Sequence, residues 1–343
     1  MDEAGVESTL DPGKGLRVLC VTNMWPEGDS FRGIFVKEQV EALRSLGCEV
    51  DVEVVAQSRG RKDYLLAAPR IRRRVRTGDY DVVHIHHGMV ALACRFIGKT
   101  PRVLGLYGHD INWHWQRWIT KAGWGGVAEK LYISRRMAIG AGEPDGLVIP
   151  NGVDFNLFAP ADRAPHRARF GFTDSERIVL FGGVPSNWVK GYDVFSDVLT
   201  RLKERGLPVR ELILPEPGQT RENVAPKFLA ADVLLFTSLR GFEGSPTVVK
   251  EATAINLPVV TTDVGDVTQV LEGVTPSAVV EYPEPWGSPQ AREQLVSQLT
   301  DRVAEVLAAN TRSNGRQVNA RLAWTAIARQ MIDMYRDVIA RAR

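Results

Sequence analysis

The sequence predicts an α/β protein built from two doubly wound domains, on three observations. Its 343 residues, at roughly 150 per domain, leave room for about 2.3 domains and therefore for two hydrophobic cores. Short apolar runs of strand length alternate with helix-period stretches from Arg17 to Ala309, the pattern of parallel sheets crossed by helices. Between two such series lies Asn151 to Thr173, where Gly152, Pro160, Pro165 and Gly171 sit among scattered charges, the composition of a connector.

Each element follows from its local pattern. Arg17 to Val21 is a valine- and leucine-rich strand. A polar loop through Gly33 leads into a helix from Ile34 to Leu46, which Gly47 closes. Glu49 to Ala56 is the next strand, at the spacing of a right-handed crossover. Val82 to His86 and Val103 to Tyr107 read as further strands, Val127 to Ala141 as a helix and Gly146 to Pro150 as a buried strand. In the second series Ile178 to Phe181, Glu211 to Leu214, Val233 to Thr237, Val259 to Thr262 and Ala278 to Glu281 are expected as strands. Tyr192 to Glu204, Pro246 to Ala254 and Arg292 to Ala309 are expected as helices. A long helical stretch, Gly315 to Arg343, carries Leu322, Ile327, Met331, Met334 and Ile339 on one face.

Composition narrows the function classes. Hydrophobic residues are 44% and charged residues 24% of the chain, which excludes a disordered or collagen-like protein. The formal charge of +2 gives no global attraction to nucleic acid. Cys20, Cys48 and Cys94 are widely spaced and form no C-x-x-C pair, so neither a disulfide framework nor a structural zinc site is expected, and a reducing compartment is the simplest setting. The first residues, 1–14, are acidic, contain Gly and Pro, and read as a loose tail rather than a signal peptide. The apolar runs fall far short of the roughly 20 residues that cross a bilayer, so the chain is expected to be soluble or peripheral.

Two nucleotide signatures fail. The loop after Val21 runs Thr22, Asn23, Met24, Trp25, Pro26, without the glycines of a dinucleotide fingerprint. Gly98, Lys99 and Thr100 resemble the end of a P-loop, but Ala93 stands where its first glycine is required. The strongest constellation is Glu243 to Glu251 (EGSPTVVKE), which follows one buried strand and opens a helix for which Ser245 is a suitable N-cap and Pro246 a suitable first residue. A helix N-terminus at the carboxyl end of a buried strand suits an anion such as a diphosphate, and the two carboxylates flanking it could hold hydroxyl groups. The plainer alternative is that Glu243 favours the helix dipole and Glu251 is solvated.

These residues match an E-x7-E signature, and with them the chain resembles the retaining glycosyltransferases of family 4. The resemblance extends over Arg32 to Val40 (RGIFVKEQV), Asp79 to His86 (DYDVVHIH), Gly108 to Asp110 (GHD) and Ile149 to Asp154 (IPNGVD). It continues through Lys190 to Asp193 (KGYD), Ala231 to Ser238 (ADVLLFTS) and Leu257 to Gly265 (LPVVTTDVG), most of residues 17 to 270. It implies the GT-B fold: two facing Rossmann-like domains, an acceptor domain at 15–155 and a nucleotide-sugar donor domain at 173–318, joined by a linker at 156–172. Residues 319–343 would form a C-terminal helix crossing back to the N-terminal domain.

The resemblance also implies roles. Glu251 would bind the donor ribose, Glu243 would approach the donor sugar, and Lys190 would meet the diphosphate, whose departure builds charge that a lysine and helix N–H groups can offset. His109 would complete the catalytic set beside the reacting carbon. Gly33, Ser186, Asn187, Gly244, Ser245, Pro246 and Thr247 would complete the donor site, with Arg32, His86, His87, Asp110 and Trp113 on the acceptor side. No cofactor and no metal are implied; the co-substrate is a nucleotide-diphosphate sugar. The sugar would pass with retention to a hydroxyl of a glycan, lipid-linked or cell-envelope precursor at the cytoplasmic side of the membrane. One departure stands out: family members often carry an arginine in a G-x-R pattern before the lysine, whereas Gly182-Gly183 is followed here by Val184, Pro185, Ser186 and Asn187. Ser186, Asn187 or Arg32 would have to substitute for it.

Three other features have competing readings. His84, His86 and His87 could suggest a metal, but no clustered Asp, Glu or Cys completes a shell, so a structural or acceptor-lining role is expected. The arginines from Arg70 to Arg76 and the aromatic, basic stretch Trp113 to Trp124 read either as a solvated face and a pocket wall or as a peripheral membrane contact. Beside the hexosyl- or related glycosyltransferase stand two alternatives: a nucleotide-sugar epimerase of the same fold, and a catalytically weak sugar-nucleotide-binding protein.

Overall fold

Two sheets, each all-parallel, organise the chain. The computed structural model describes residues 11–28, 33–112, 114–214 and 223–343, with backbone alone at His109, Asn112 and His114. It divides into one unit of Met1–Gly152 with Trp324–Arg343 and a second of Val153–Ala323.

The first unit contains β1 (Arg17–Thr22), α1 (Ile34–Ser45), β2 (Glu49–Val54), α2 (Asp63–Gly78), β3 (Val82–His86), α3 (Gly88–Ala91), β4 (Arg102–Leu106), α4 (His109–Asn112), α5 (His114–Gly123), β5 (Glu129–Tyr132), α6 (Arg135–Ala141) and β6 (Leu147–Val148). The strand order is β2-β1-β3-β4-β5-β6. β3 and β4 are buried along their whole length, as expected of central parallel strands with helices on both faces. On one face, α2, α3 and α6 contribute Ala67, Ile71, Val90, Ala91, Met137 and Ala138 to a single core. The other face is covered by α1 and by a helix from the far end of the chain, whose Trp324, Ile327, Met331 and Tyr335 pack with Val36, Val40 and Leu43.

The second unit contains α7 (Ala164–Arg169), β7 (Arg177–Gly182), α8 (Tyr192–Glu204), β8 (Val209–Leu214), α9 (Ala225–Ala230), β9 (Val233–Phe236), α10 (Thr247–Ala254), β10 (Val259–Thr262), α11 (Val267–Leu271), β11 (Ala278–Val280), α12 (Pro289–Ala309) and α13 (Gly315–Val318). Its strand order is β11-β10-β9-β7-β8. α14 (Trp324–Ala342) then rejoins the first unit, where Trp324 Nε1 donates to Glu38 Oε2 at 2.9 Å.

Four expectations change. The segment Val127 to Ala141 is not one helix: β5 occupies Glu129–Tyr132, with Leu131 and Tyr132 buried between β4 and β6, and Ser134 caps α6 by accepting from Met137 N at 3.3 Å. The stretch Gly315 to Arg343 is broken into α13, a 3₁₀ turn at Ala320–Leu322 and α14. The stretch 156–172 is folded into the second unit, where Phe158 is buried edge-on against Phe228 and Arg167 Nη2 pairs with Asp232 Oδ2 at 2.6 Å. Residues 11–14, the described end of the expected tail, are held by Gly13 N donating to Leu46 O at 2.7 Å, and a Cβ on Gly13 would strike Cys48.

Candidate functional site

In open parallel sheets ligands bind beyond the carboxyl ends of the strands, where the strand order reverses. In the second unit that point lies between β7 and β9, and the loops leaving these strands carry Lys190 and Glu243. Lys190 ends a 3₁₀ turn, Trp188–Lys190, and Gly191 follows with φ 63° as the cap of α8. Only glycine fits there: a Cβ would fall 2.2 Å from the carbonyl oxygen of Thr237. The tight approach lets Thr237 Oγ1 donate to Gly191 O at 2.9 Å and fixes the turn to the end of β9.

The two charged groups meet. Lys190 Nζ lies 2.6 Å from Glu243 Oε1, and Ser238 Oγ lies 2.5 Å from the same oxygen and 3.0 Å from Val189 O. The Lys190 ammonium also stands over the Phe236 ring, 5.4 Å from its centroid. Both side chains are mostly but not fully shielded, so the pair is partly desolvated yet open to exchange with an incoming anion.

Behind the pair lies the N-terminus of α10. Pro246 is its N-cap, in an extended conformation, and no side chain caps it. This corrects the expected capping role of Ser245. Its hydroxyl instead donates to Asp266 Oδ2 at 2.7 Å and receives the ammonium of the buried Lys250, which also lies 3.2 Å from Asp266 Oδ2. A buried ammonium needs oxygen partners, and this demand takes Ser245 away from the helix end. Burial still pushes the Lys250 pKa down, with Asp266 pulling the other way. Gly244, Ser245 and Pro246 are buried, Thr247 is half-buried and Glu251 is buried one turn into α10. Ser186 and Asn187 lie exposed in the loop after β7, and Asn187 Oδ1 accepts from Val189 N at 3.2 Å.

The first unit has its own strand-order reversal, between β1 and β3. Gly33 lies after β1 with φ 78°, and a Cβ there would sit 2.4 Å from the Met24 backbone. After β3, His87 adopts φ 83°, a conformation costly for a non-glycine residue and one that clusters at functional positions. His86 is buried in β3, its Nδ1 2.6 Å from Tyr107 Oη, and stacks on His84, whose Nδ1 lies 2.6 Å from Tyr335 Oη. Burial holds the His84 pKa down to about 3 and moves that of His86 the same way. Asp110 is buried, and its carboxylate accepts from Tyr107 N at 3.1 Å and Gly108 N at 2.8 Å, so it fixes the backbone at the start of α4. His109 opens α4, and only its backbone is described; Arg32 and Trp113 lie outside the described residues. Among the described residues no three His, Cys, Asp or Glu side chains are grouped to hold a metal ion, and no helix is long and apolar enough to cross a membrane.

Sequence reasoning missed Ser238, Lys250 and Asp266. Each acts across loops from different strands, and only Lys250, a cation on the inward side of a short helix, left a local signal. The arginine run also divides: Arg70 Nε lies 2.5 Å from Glu53 Oε1 and its Nη1 3.0 Å from Asp63 Oδ1, while Arg74 Nη1 lies 2.8 Å from Glu53 Oε2. These two arginines are half-buried and paired with carboxylates of the sheet side, so they are not free surface cations, a correction to the expected Arg70 to Arg76 surface.

Comparison with known proteins fits this geometry. Residues 14–157 match the family model Glycosyltransferase Family 4, and residues 216–299 match Glycosyl transferases group 1. The putative glycosyltransferase EpsF of Bacillus subtilis (strain 168) is 24% identical over 269 residues, covering 63% of this chain and 68% of that protein. The putative teichuronic acid biosynthesis glycosyltransferase TuaC of the same organism is 27% identical over 216 residues, 55% of each. Sucrose-phosphate synthase (tll1590) from Thermosynechococcus elongatus superposes with a TM-score of 0.73 at 18% identity, over 95% of this chain and 100% of that one. Anabaena Alr3699/HepE in complex with UDP gives 0.66 at 15% identity, over 94% and 100%. The matched models and relatives are transferases and do not favour the epimerase or binding-protein alternatives. The two matched models, together with two parallel-sheet α/β units of the GT-B type, support a glycosyltransferase of the family 4 type.

Proposed function

We propose that the protein transfers a sugar, with retention of configuration, from a nucleotide-diphosphate sugar to a hydroxyl of a lipid-linked or cell-envelope glycan precursor. The observation that carries the reading is the Lys190–Glu243 pair, 2.6 Å apart beyond the ends of β7 and β9, with the uncapped start of α10 beside it. A diphosphate seated there would exchange part of the Lys190 ion pair for phosphate oxygens and receive the first-turn N–H groups of α10. Glu251 would hold the ribose hydroxyls and Glu243, released in part from Lys190, would approach the sugar. His109 would stand near the reacting carbon. Ser186 or Asn187 would donate to the phosphates where relatives carry arginine, or Arg32 would supply the missing cation.

As the bond between the anomeric carbon and the diphosphate breaks, negative charge grows on the leaving phosphate, where a fixed cation and helix dipole act most strongly. The acceptor oxygen attacks from the face the diphosphate is leaving and passes its proton to a phosphate oxygen, which retains configuration without a protein nucleophile. Relatives support the substrate class. Alr3699/HepE has been solved with UDP-glucose, and TuaC is named for teichuronic acid biosynthesis. The test is proton NMR of the glycoside formed from an α-linked uridine-diphosphate sugar and a lipid-extract acceptor. An α-configured product is expected; a β-configured product, or a sugar trapped covalently on a side chain, would contradict the mechanism.

A further inference from the structure

The outward surface of the first unit carries a second feature that glycosyl transfer does not use. The inner residues of α2, α3 and α6 share one core, so these helices cover the same side of the sheet, with α5 packed on α3 where a Cβ on Gly88 would strike Thr120. Their outer sides are unusual in two ways. Among the described residues, six of the nine exposed large hydrophobic side chains lie on α2, on α5 or in the segment that follows α3, including Leu65 at 76%, Leu66 at 68%, Phe96 at 77% and Trp118 at 76% exposure. The layer is also predominantly basic, with Asp79 at the C-cap of α2 as an exposed exception. From Arg61 to Gly78 the only acidic residue is Asp63, buried beneath Arg70, while Arg61, Lys62, Arg72, Arg73 and Arg76 are exposed. From Gly88 to Ala128 the only acidic residue is Asp110, also buried, while Arg95, Lys99 and Lys121 are exposed.

Exposed leucine, phenylalanine and tryptophan set among unopposed cations match the requirements of an anionic bilayer surface, where apolar side chains enter the acyl boundary and basic ones meet lipid phosphates. We infer that the α2–α3–α5 layer docks the protein on anionic lipid. The charge pattern selects that lipid over a neutral one, and the apolar side chains select a bilayer over an acidic polysaccharide, which would not cover them. The inference deepens the proposed use of a lipid-linked acceptor but stands on the surface alone, so its failure would leave the donor site untouched.

Flotation with vesicles of phosphatidylcholine, with and without phosphatidylglycerol, tests it without any nucleotide. The protein is expected to float with the anionic vesicles only, and less so as salt rises. Arg72→Gln with Arg73→Gln should lower the partition coefficient about thirtyfold, at the usual contribution of a basic residue near such a surface. Leu65→Gln with Leu66→Gln should lower it at least about tenfold. Both pairs are exposed, so thermal unfolding and nucleotide-induced stabilisation should match the parent. Four results would overturn the inference: no flotation, equal flotation with neutral vesicles, variants that float like the parent, or retention on an acidic polysaccharide without flotation.

Discussion

Lys250 shows how a single residue can shape a site without facing its ligand. Its ammonium is closed off from solvent between Ser245 and Asp266, and this contact joins the loop that carries Glu243 to the loop after β10. Removing one member of such a buried pair leaves the other charged and unsolvated, which typically costs about 3–5 kcal/mol, whereas removing both costs less. Lys250→Met is therefore expected to lower the urea unfolding free energy by about that amount. Asp266→Asn added to it should recover part of the loss, and strictly additive effects in the double-mutant cycle would contradict the coupling. Glu243 and Glu251 were legible in the sequence because eight positions on one loop and helix set their spacing. Ser238, Lys250 and Asp266 were not, because their meeting depends on which strands lie side by side.

At the scale of elements, β3 is the least ordinary strand. Its two buried histidines are neutral at physiological pH, with Nδ1 of each bound to a tyrosine hydroxyl. The His84 pKa of about 3 lies below the ordinary 6.5, so between these values the unfolded chain binds a proton that the folded one refuses. Its contribution to stability is complete above about pH 6.5 and falls by about 1.4 kcal/mol per unit as pH drops toward 3, with His86 adding in the same direction. Urea midpoints should fall between about pH 7 and about pH 5 in the parent and fall less in His84→Gln; equal falls would contradict this. The main strands and helices were readable because apolar runs of four to six residues alternate with helical periods. β5 was not, because Glu129–Tyr132 has no alternation of its own and abuts the helical pattern of α6. The division of the arginines was available in principle: Arg70 and Arg74 are four apart and share a helix stripe with Asp63 and Ala67, while Arg72, Arg73 and Arg76 do not.

For the whole molecule, the chain assigns its tasks to separate units. The second provides a cation, a carboxylate and a helix start at one strand-order reversal. The first combines a constrained loop at Gly33 and His87 with a basic, apolar outer layer. α14 returns the chain to the first unit and buries Trp324, Met331 and Tyr335 there. The central claim is that the Lys190–Glu243 site and Glu251 bind a nucleoside diphosphate, and isothermal titration of the purified protein with UDP, GDP and ADP tests it most directly. One of the three should bind, with Lys190→Ala weakening it about ten- to a hundredfold, the usual range for a charge-assisted hydrogen bond, and Glu251→Ala weakening the nucleoside and the diphosphate alike. Binding that survives both substitutions unchanged, or the absence of binding by any of the three nucleotides, would contradict the account.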